Sequence, residues 1–189
     1  MKTVIAELEG ISPYSQGRYH ATPLLDREIP RDWEERTWRN RCHANADGFI
    51  FIPPMAFKNC LSEAAKFMSI QIPGKGKSTY TKHFEAGILV MDPLVLPVKQ
   101  SEVLGNWIFG SADGRRGGPK RVEKCFPVIS QWSGDVKFYI LDEIITKDVF
   151  ARHLEAAGQF IGIGVFRPRN NGFYGRFLVK EILWPEKEG

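Results

Sequence analysis

Apolar residues recur along this chain in two periods, and their order sets the expected fold. Residues 2–9 alternate, with Val4, Ala6 and Leu8 on one face and Thr3, Ile5 and Glu7 on the other, which predicts a strand. A turn-rich exit follows through Gly10, Ser12, Pro13 and Gly17. Residues 19–31 hold two prolines and no period and read as a loop. Asp32, with Glu35 three residues on and Pro30 before it, predicts an N-capped helix start. That helix carries Trp33 and Trp38, as core or interface residues, and is expected to end near residues 45–48.

Phe49 to Ile52 is a short apolar strand stopped by Pro53 and Pro54. Phe57, Leu61, Ala64, Ala65 and Met68 then fall at helical spacing and predict a helix over 55–68. Residues 72–79 read as a basic loop, and 84–98 as a strand-like stretch broken by Pro93 and Pro97. Residues 101–124 read as an irregular, flexible, basic insertion. Two strands are predicted over 125–129 and 136–141. A helix over 146–157 has Thr146 as its cap, Val149, Phe150, Leu154 and Ala157 facing inward, and Gly158 at its end. A last strand covers 178–183. This order is α+β rather than all-parallel α/β. It suits one domain over 1–189: a ferredoxin-like (RRM-like) antiparallel sheet with helices on one face and inserted loops.

Charge adds little until its placement is considered. Lys and Arg number 26 against 22 Asp and Glu, a formal net charge of +4, which permits a polyanionic partner where the cations cluster. The three cysteines are far apart and form no CxxC pair, so neither a zinc ribbon nor a disulfide framework is expected. Reduced thiols, the absence of a signal-like N-terminal run and the lack of a stretch of about 18 apolar residues together predict a cytoplasmic protein without membrane contact.

Two tempting nucleotide motifs fail on spacing. A P-loop ending at Gly76-Lys77-Ser78 would need glycine at Gln71, and a dinucleotide fingerprint from Gly162-Ile163-Gly164 would need glycine at Arg167. His20, His43, His83 and His153 are scattered and form no metal pair, so no metal or cofactor is expected. His20, beside Arg18 and Tyr19, is the one candidate for a catalytic base, and no second catalytic group accompanies it.

Two segments concentrate the chemistry. Residues 162–177 combine glycines with Arg167, Arg169 and Arg176 and with Phe166, Phe173 and Tyr174, and contain no acid. Arginine forks suit phosphate and aromatic faces suit bases. The same composition also serves a tight turn between core strands, with solvated arginines. Residues 110–124 place Arg115, Arg116, Lys120, Arg121 and Lys124 against only Asp113 and Glu123, as a polyanion contact or a solvated loop.

Three stretches taken together resemble the repeat-associated mysterious protein (RAMP) superfamily of CRISPR effector subunits, especially its RNA-binding backbone branch. These are the polar turn Gly10-Ile11-Ser12-Pro13-Tyr14-Ser15 after the first strand, the strand-Ile52-Pro53-helix passage over 49–58, and the glycine-rich loop over 162–177. Pro54-Met55 stands where the family usually has Gly-Ser, and Phe166-Arg167-Pro168-Arg169 departs from the family's loop. The resemblance implies a ferredoxin-like fold, guide or single-strand binding, and side-by-side assembly along a strand. It also implies a basic residue one turn into the helix, which is Lys58 here. A stand-alone relative of phage or mobile-element origin fits the same resemblance.

The function expected from these readings is non-enzymatic binding of single-stranded nucleic acid, RNA ahead of DNA, with self-association or membership of a larger nucleoprotein complex. The site residues are Lys58, Arg115, Arg116, Lys120, Arg121, Phe166, Arg167, Arg169, Phe173, Tyr174 and Arg176. Two alternatives stand beside it: a RAMP-type RNA endonuclease with His20 as base, and an interaction protein that mimics or inhibits an effector subunit through residues 30–55.

Overall fold

The alternation of the first strand makes it the centre of the protein. In the computed structural model, which describes residues 1–112 and 119–185, β1 (Lys2–Gly10) is followed by β2 (Tyr14–Ser15), α1 (Pro30–Thr37), β3 (Phe49–Ile52), α2 (Pro54–Met68), α3 (Thr81–Ala86), β4 (Ile88–Leu89), β5 (Leu94–Lys99), β6 (Leu104–Ser111), β7 (Arg121–Ile129), β8 (Ser133–Ile140), α4 (Lys147–Ala156) and β9 (Phe177–Leu183). Val4, Ala6 and Leu8 of β1 are completely buried. β8 and β9 flank β1, both antiparallel to it, and β4 pairs with β8.

The principal sheet therefore runs β9-β1-β8-β4. α2 lies in the crossover from β1 to β4, and α4 in that from β8 to β9. This is the β-α-β-β-α-β order of a ferredoxin-like fold, as expected. α2 buries Phe57, Cys60, Leu61, Ala64 and Ala65, the i, i+3, i+4, i+7, i+8 stripe of an amphipathic helix. α4 starts where the sequence signals it: the Thr146 hydroxyl accepts from the N–H of Val149 at 3.4 Å. Phe150 and Leu154 enter the core, while Val149 stays partly exposed. The last turn widens into a π-turn over Ala157–Ile161 and stops at Gly162, where φ is 71°. Among the described residues no helix is long and apolar enough to cross a membrane.

Several local expectations need correction. The stretch over 101–124 is not irregular throughout: β6 and β7 pair in unbroken antiparallel register from Leu104↔Val128 to Ser111↔Arg121. β6 leaves Leu104, Trp107 and Phe109 exposed by 67%, 44% and 67%, so apolar residues stand on both its faces and no alternation marks the strand. Residues 84–98 divide into the end of α3, β4 and β5, because Gly87 ends α3 with its N–H on the His83 carbonyl at 2.7 Å. α1 begins with Pro30 in its first turn and no side-chain cap, so Asp32 lies inside the first turn rather than at the cap. The helix ends at Thr37, well before 45–48, and passes into a 3-10 turn over Trp38–Arg41. β7 and β8 are neighbours in the chain yet belong to different sheets. The corner between them is held by Trp132, whose Nε1 donates to the Ser12 carbonyl at 3.1 Å.

His153 on α4 gives the fold a pH dependence. Its Nδ1 donates to the Val149 carbonyl at 2.6 Å, its ring stacks on Phe84 at 4.3 Å, and its buried Nε2 has no partner. Burial holds its pKa below the ordinary 6.5, reinforced by Arg152 and partly opposed by the Val149 carbonyl. Below 6.5 the unfolded chain takes up a proton that the folded one refuses, so stability is lost as pH falls from there through the folded pKa. His153→Phe is expected to lose less melting temperature than the wild type between neutral and mildly acid buffer. Equal losses would assign the acid sensitivity elsewhere.

Candidate nucleic-acid interface

The glycine-rich segment between α4 and β9 is a closed loop laced to the chain that follows β1. The N–H of Ile163 donates to Gly175 O at 3.0 Å, that of Gly175 to Pro13 O at 2.7 Å and that of Val165 to Ser15 O at 3.0 Å. Within the loop, Tyr174 N–H donates to Phe166 O and Gly172 N–H to Arg167 O, both at 3.0 Å. Gly175 and Gly164, with φ of 71° and 78°, lie against the Ile163 and Ser15 carbonyls where no Cβ fits. The glycines thus serve close approach, as their composition suggests, but what approaches is this chain's own backbone.

That packing decides what each side chain offers. Phe166, itself at a positive φ of 56°, sits edge-on to Phe126 at 4.9 Å and to Tyr174 at 6.2 Å. Asn106 Nδ2 donates to the Tyr174 hydroxyl at 3.5 Å. The loop and the β6–β7 hairpin are therefore brought together, through Phe126 and Asn106. Phe173 is 59% exposed and meets Tyr174 edge-on at 4.5 Å, which leaves much of it accessible.

The cations differ in freedom. Arg167 Nη2 donates to Glu63 Oε1 at 3.0 Å, Arg169 Nε is 4.0 Å from Glu63 Oε2, and Arg176 Nη1 donates to the Gln159 carbonyl. Lys58 is committed inside the fold: its Nζ donates to Ser62 Oγ at 2.7 Å, Glu85 O at 2.8 Å and Phe84 O at 3.2 Å, closing the C-terminal end of α3. Lys120 and Arg121 are exposed, with Arg121 Nη1 on the Phe109 carbonyl at 3.1 Å. Arg115 and Arg116 lie outside the described residues.

A cleft of about 880 Å³ opens where three segments meet. One wall is the start of α2, with Met55, Asn59 and Glu63; the second is Gln16 and Gly17 after β2; the third is the terminal loop with Phe166, Arg167 and Asn170. His43 and Ser111 complete it. Ser111 pairs with Arg121, and Ala112 N–H donates to Lys120 O at 2.9 Å, so the basic end of the hairpin adjoins the opening. Gln16, only 2% exposed, braces the floor: its Oε1 accepts the His43 N–H at 2.7 Å and its Nε2 donates to Phe51 O at 2.7 Å. Burial, then Arg18, lowers the His43 pKa, which keeps its imidazole neutral at pH 7. Among the described residues the cleft thus presents one cation, one carboxylate, an aromatic edge and several neutral hydrogen-bonding groups.

Of the sequence-predicted residues, Phe166 and Arg167 line this cleft. Arg169 lines an adjoining cavity of about 510 Å³ with Glu63, Lys66, Arg167 and Asn170. His20 is not in the cleft lining; it stacks on Trp33 at 5.4 Å with Nδ1 3.1 Å from the Thr22 hydroxyl. Among the described residues no group of three His, Cys, Asp or Glu is placed to hold a metal. Gln16, His43, Asn59 and Glu63 were not picked out from sequence. Met55, Asn59 and Glu63 form an i, i+4, i+8 row beside the apolar stripe of α2, a signal that was present. Gln16 and His43 carry none, since only the tertiary fold brings them there.

No protein-family model matches this chain, and no curated protein is significantly similar to it in sequence. Solved structures are similar in fold. A chain of the cryo-EM structure of the type III-B Cmr-beta bound to cognate target RNA aligns with a TM-score of 0.54 at 11% identity, over 98% of this chain and 61% of that one. The present chain thus spans about 61% of that chain's length. The crystal structure of Cmr6 from Pyrococcus furiosus aligns with a TM-score of 0.46 at 12% identity, over 94% of this chain and 97% of that one. The chain thus shares its α+β fold with that Cmr-beta chain, in line with the ferredoxin-like architecture expected from the sequence.

Proposed function

We propose that this chain is a non-enzymatic protein that binds single-stranded nucleic acid, RNA in preference to DNA, as part of a larger nucleoprotein assembly along the strand. The observation that carries the reading is the cleft between the start of α2 and the terminal loop, open at the basic end of the β6–β7 hairpin. Lys120, Arg121, Arg169 and Arg176, with Arg115 and Arg116, supply phosphate attraction, and Arg167 lines the groove. Phe173, with Phe166 and Tyr174 behind it, is the stacking surface, at about 1–3 kcal/mol per stacked base. Asn59, Asn170 and neutral His43 are suited to ribose hydroxyls, which favours RNA. The fold shared with a chain of an RNA-bound complex supports the same choice. Lys58 is left out, because its ammonium is occupied within the fold.

The test is fluorescence anisotropy with labelled single-stranded RNA and DNA of one sequence over a salt series. RNA is expected to bind more tightly than DNA, with affinity falling linearly on a logarithmic salt axis. Negligible binding of both at low salt overturns the proposal.

A further inference from the structure

Among the described residues Glu63 is the one carboxylate in the cleft wall, and its bonding is incomplete. Oε1 accepts from Arg167 at 3.0 Å, whereas Oε2 is buried and, among the described residues, accepts no hydrogen bond and has only the Arg169 Nε at 4.0 Å. Another acid of the same chain shows what a finished internal ion pair looks like. Glu34 receives two contacts at 2.6 Å and one at 3.0 Å, on both oxygens. A carboxylate with one oxygen on Arg167 and the other 4.0 Å from Arg169 occupies a site shaped for an anion that can use both arginines.

We propose that Glu63 is a resident counter-ion: it holds Arg167 and Arg169 in the empty cleft and is displaced from them when a phosphodiester of the bound strand enters the cavity lined by Lys66, Arg167, Arg169 and Asn170. The inference rests on the nucleic-acid reading given above. A phosphodiester offers two non-bridging oxygens to the two arginine forks, the geometry that Glu63 meets only in part. Lys66 is held in a parallel way by Glu85 at 2.6 Å, so each cation of this cavity has a resident carboxylate beside it before a ligand arrives. After displacement Glu63 remains beside the phosphate as a like charge. The wild-type protein therefore binds less tightly than its arginines alone allow, and a strand that presents several phosphates is favoured over a single nucleotide.

Anisotropy with one labelled single-stranded RNA at fixed salt tests this on the wild type, Glu63→Gln, Arg167→Ala, the double variant, and Glu155→Gln. The last is an exposed charge-matched control on α4. Glu63→Gln is expected to bind about fivefold tighter than wild type, Glu155→Gln within about twofold, and the gain to shrink when Arg167 is alanine. Glu63→Met, expected to show the same gain, replaces Glu63→Gln should melting curves show the latter misfolded. No binding by any variant sinks the nucleic-acid reading and this inference with it. Wild-type binding with Glu63→Gln equal or weaker overturns the counter-ion role alone, and a weaker result assigns Glu63 a direct contact to the strand. An equal gain from Glu155→Gln reduces the effect to net charge and overturns the role as well.

Discussion

Glu34→Ala is expected to destabilise the protein by about 3–5 kcal/mol, a large share of the stability of an ordinary domain. Glu34 is 3% exposed. Its Oε1 accepts from the N–H of Cys125 and from Arg41 Nη1, both at 2.6 Å, and its Oε2 from Arg41 Nη2 at 3.0 Å. Arg41 Nη1 also donates to the Cys125 carbonyl at 3.1 Å. The position explains the arrangement: β2 pairs with β7 only at Val128 and Ile129, so the outer edge of β7 at Cys125 has no strand beside it. The Glu34–Arg41 fork takes up the N–H and C=O that a further strand residue would. Alanine at 34 leaves a nearly buried guanidinium without its counter-ion and an amide without its acceptor. Glu34→Leu with Arg41→Met strands no charge and is expected to cost about 1–3 kcal/mol, the share of the unpaired backbone groups. Urea denaturation of the three proteins measures both values. A single-variant loss below about 1 kcal/mol would show that water replaces the fork.

The loss reaches the cleft as well. The Arg41 guanidinium lies 5.4 Å from the centre of the Phe126 ring, and Phe126 supports Phe166. A sequence reading sees Glu34 as one more acid on a charged helix, because the Cys125 amide that it serves stands 91 residues away. What sequence does disclose here is set by period and completeness of burial. β1, α2 and α4 are legible because each carries a periodic apolar stripe that enters the core, whereas β9 is read from its apolar run although only Phe177 in it is fully buried. The β6–β7 hairpin was not, because its outer strand exposes Trp107 and Phe109 and leaves no alternation to read. The terminal loop was found by composition, yet composition misstates its glycines, which answer to the Ser15 and Ile163 carbonyls. It also cannot separate a committed cation such as Lys58 from an accessible one such as Arg169, since that difference is made by the α3 carbonyls and by Glu63.

Replacing Arg167 and Arg169 together by alanine is expected to weaken single-stranded RNA binding about a hundredfold, roughly tenfold for each charge-assisted phosphate contact. The salt dependence discriminates this from general loss of fold. The two arginines share one phosphodiester, and each neutralised phosphate of a single strand contributes about 0.7 to the logarithmic slope, so the double variant should be shallower by about 0.7. Singly, Arg167→Ala should cost more than Arg169→Ala. It removes the arginine that lines both the cleft and the adjoining cavity, whereas Arg169 lines the cavity alone and is 56% exposed. Both losses should be uniform across RNA sequences, because phosphate contacts carry no base information. Lys58→Gln supplies the opposite signature: it loses the ammonium contacts to Phe84 O and Glu85 O and lowers the melting temperature, with RNA affinity and salt slope unchanged. An unaltered slope in the arginine double variant, or a shallower one in Lys58→Gln, would place the strand on another face of the protein.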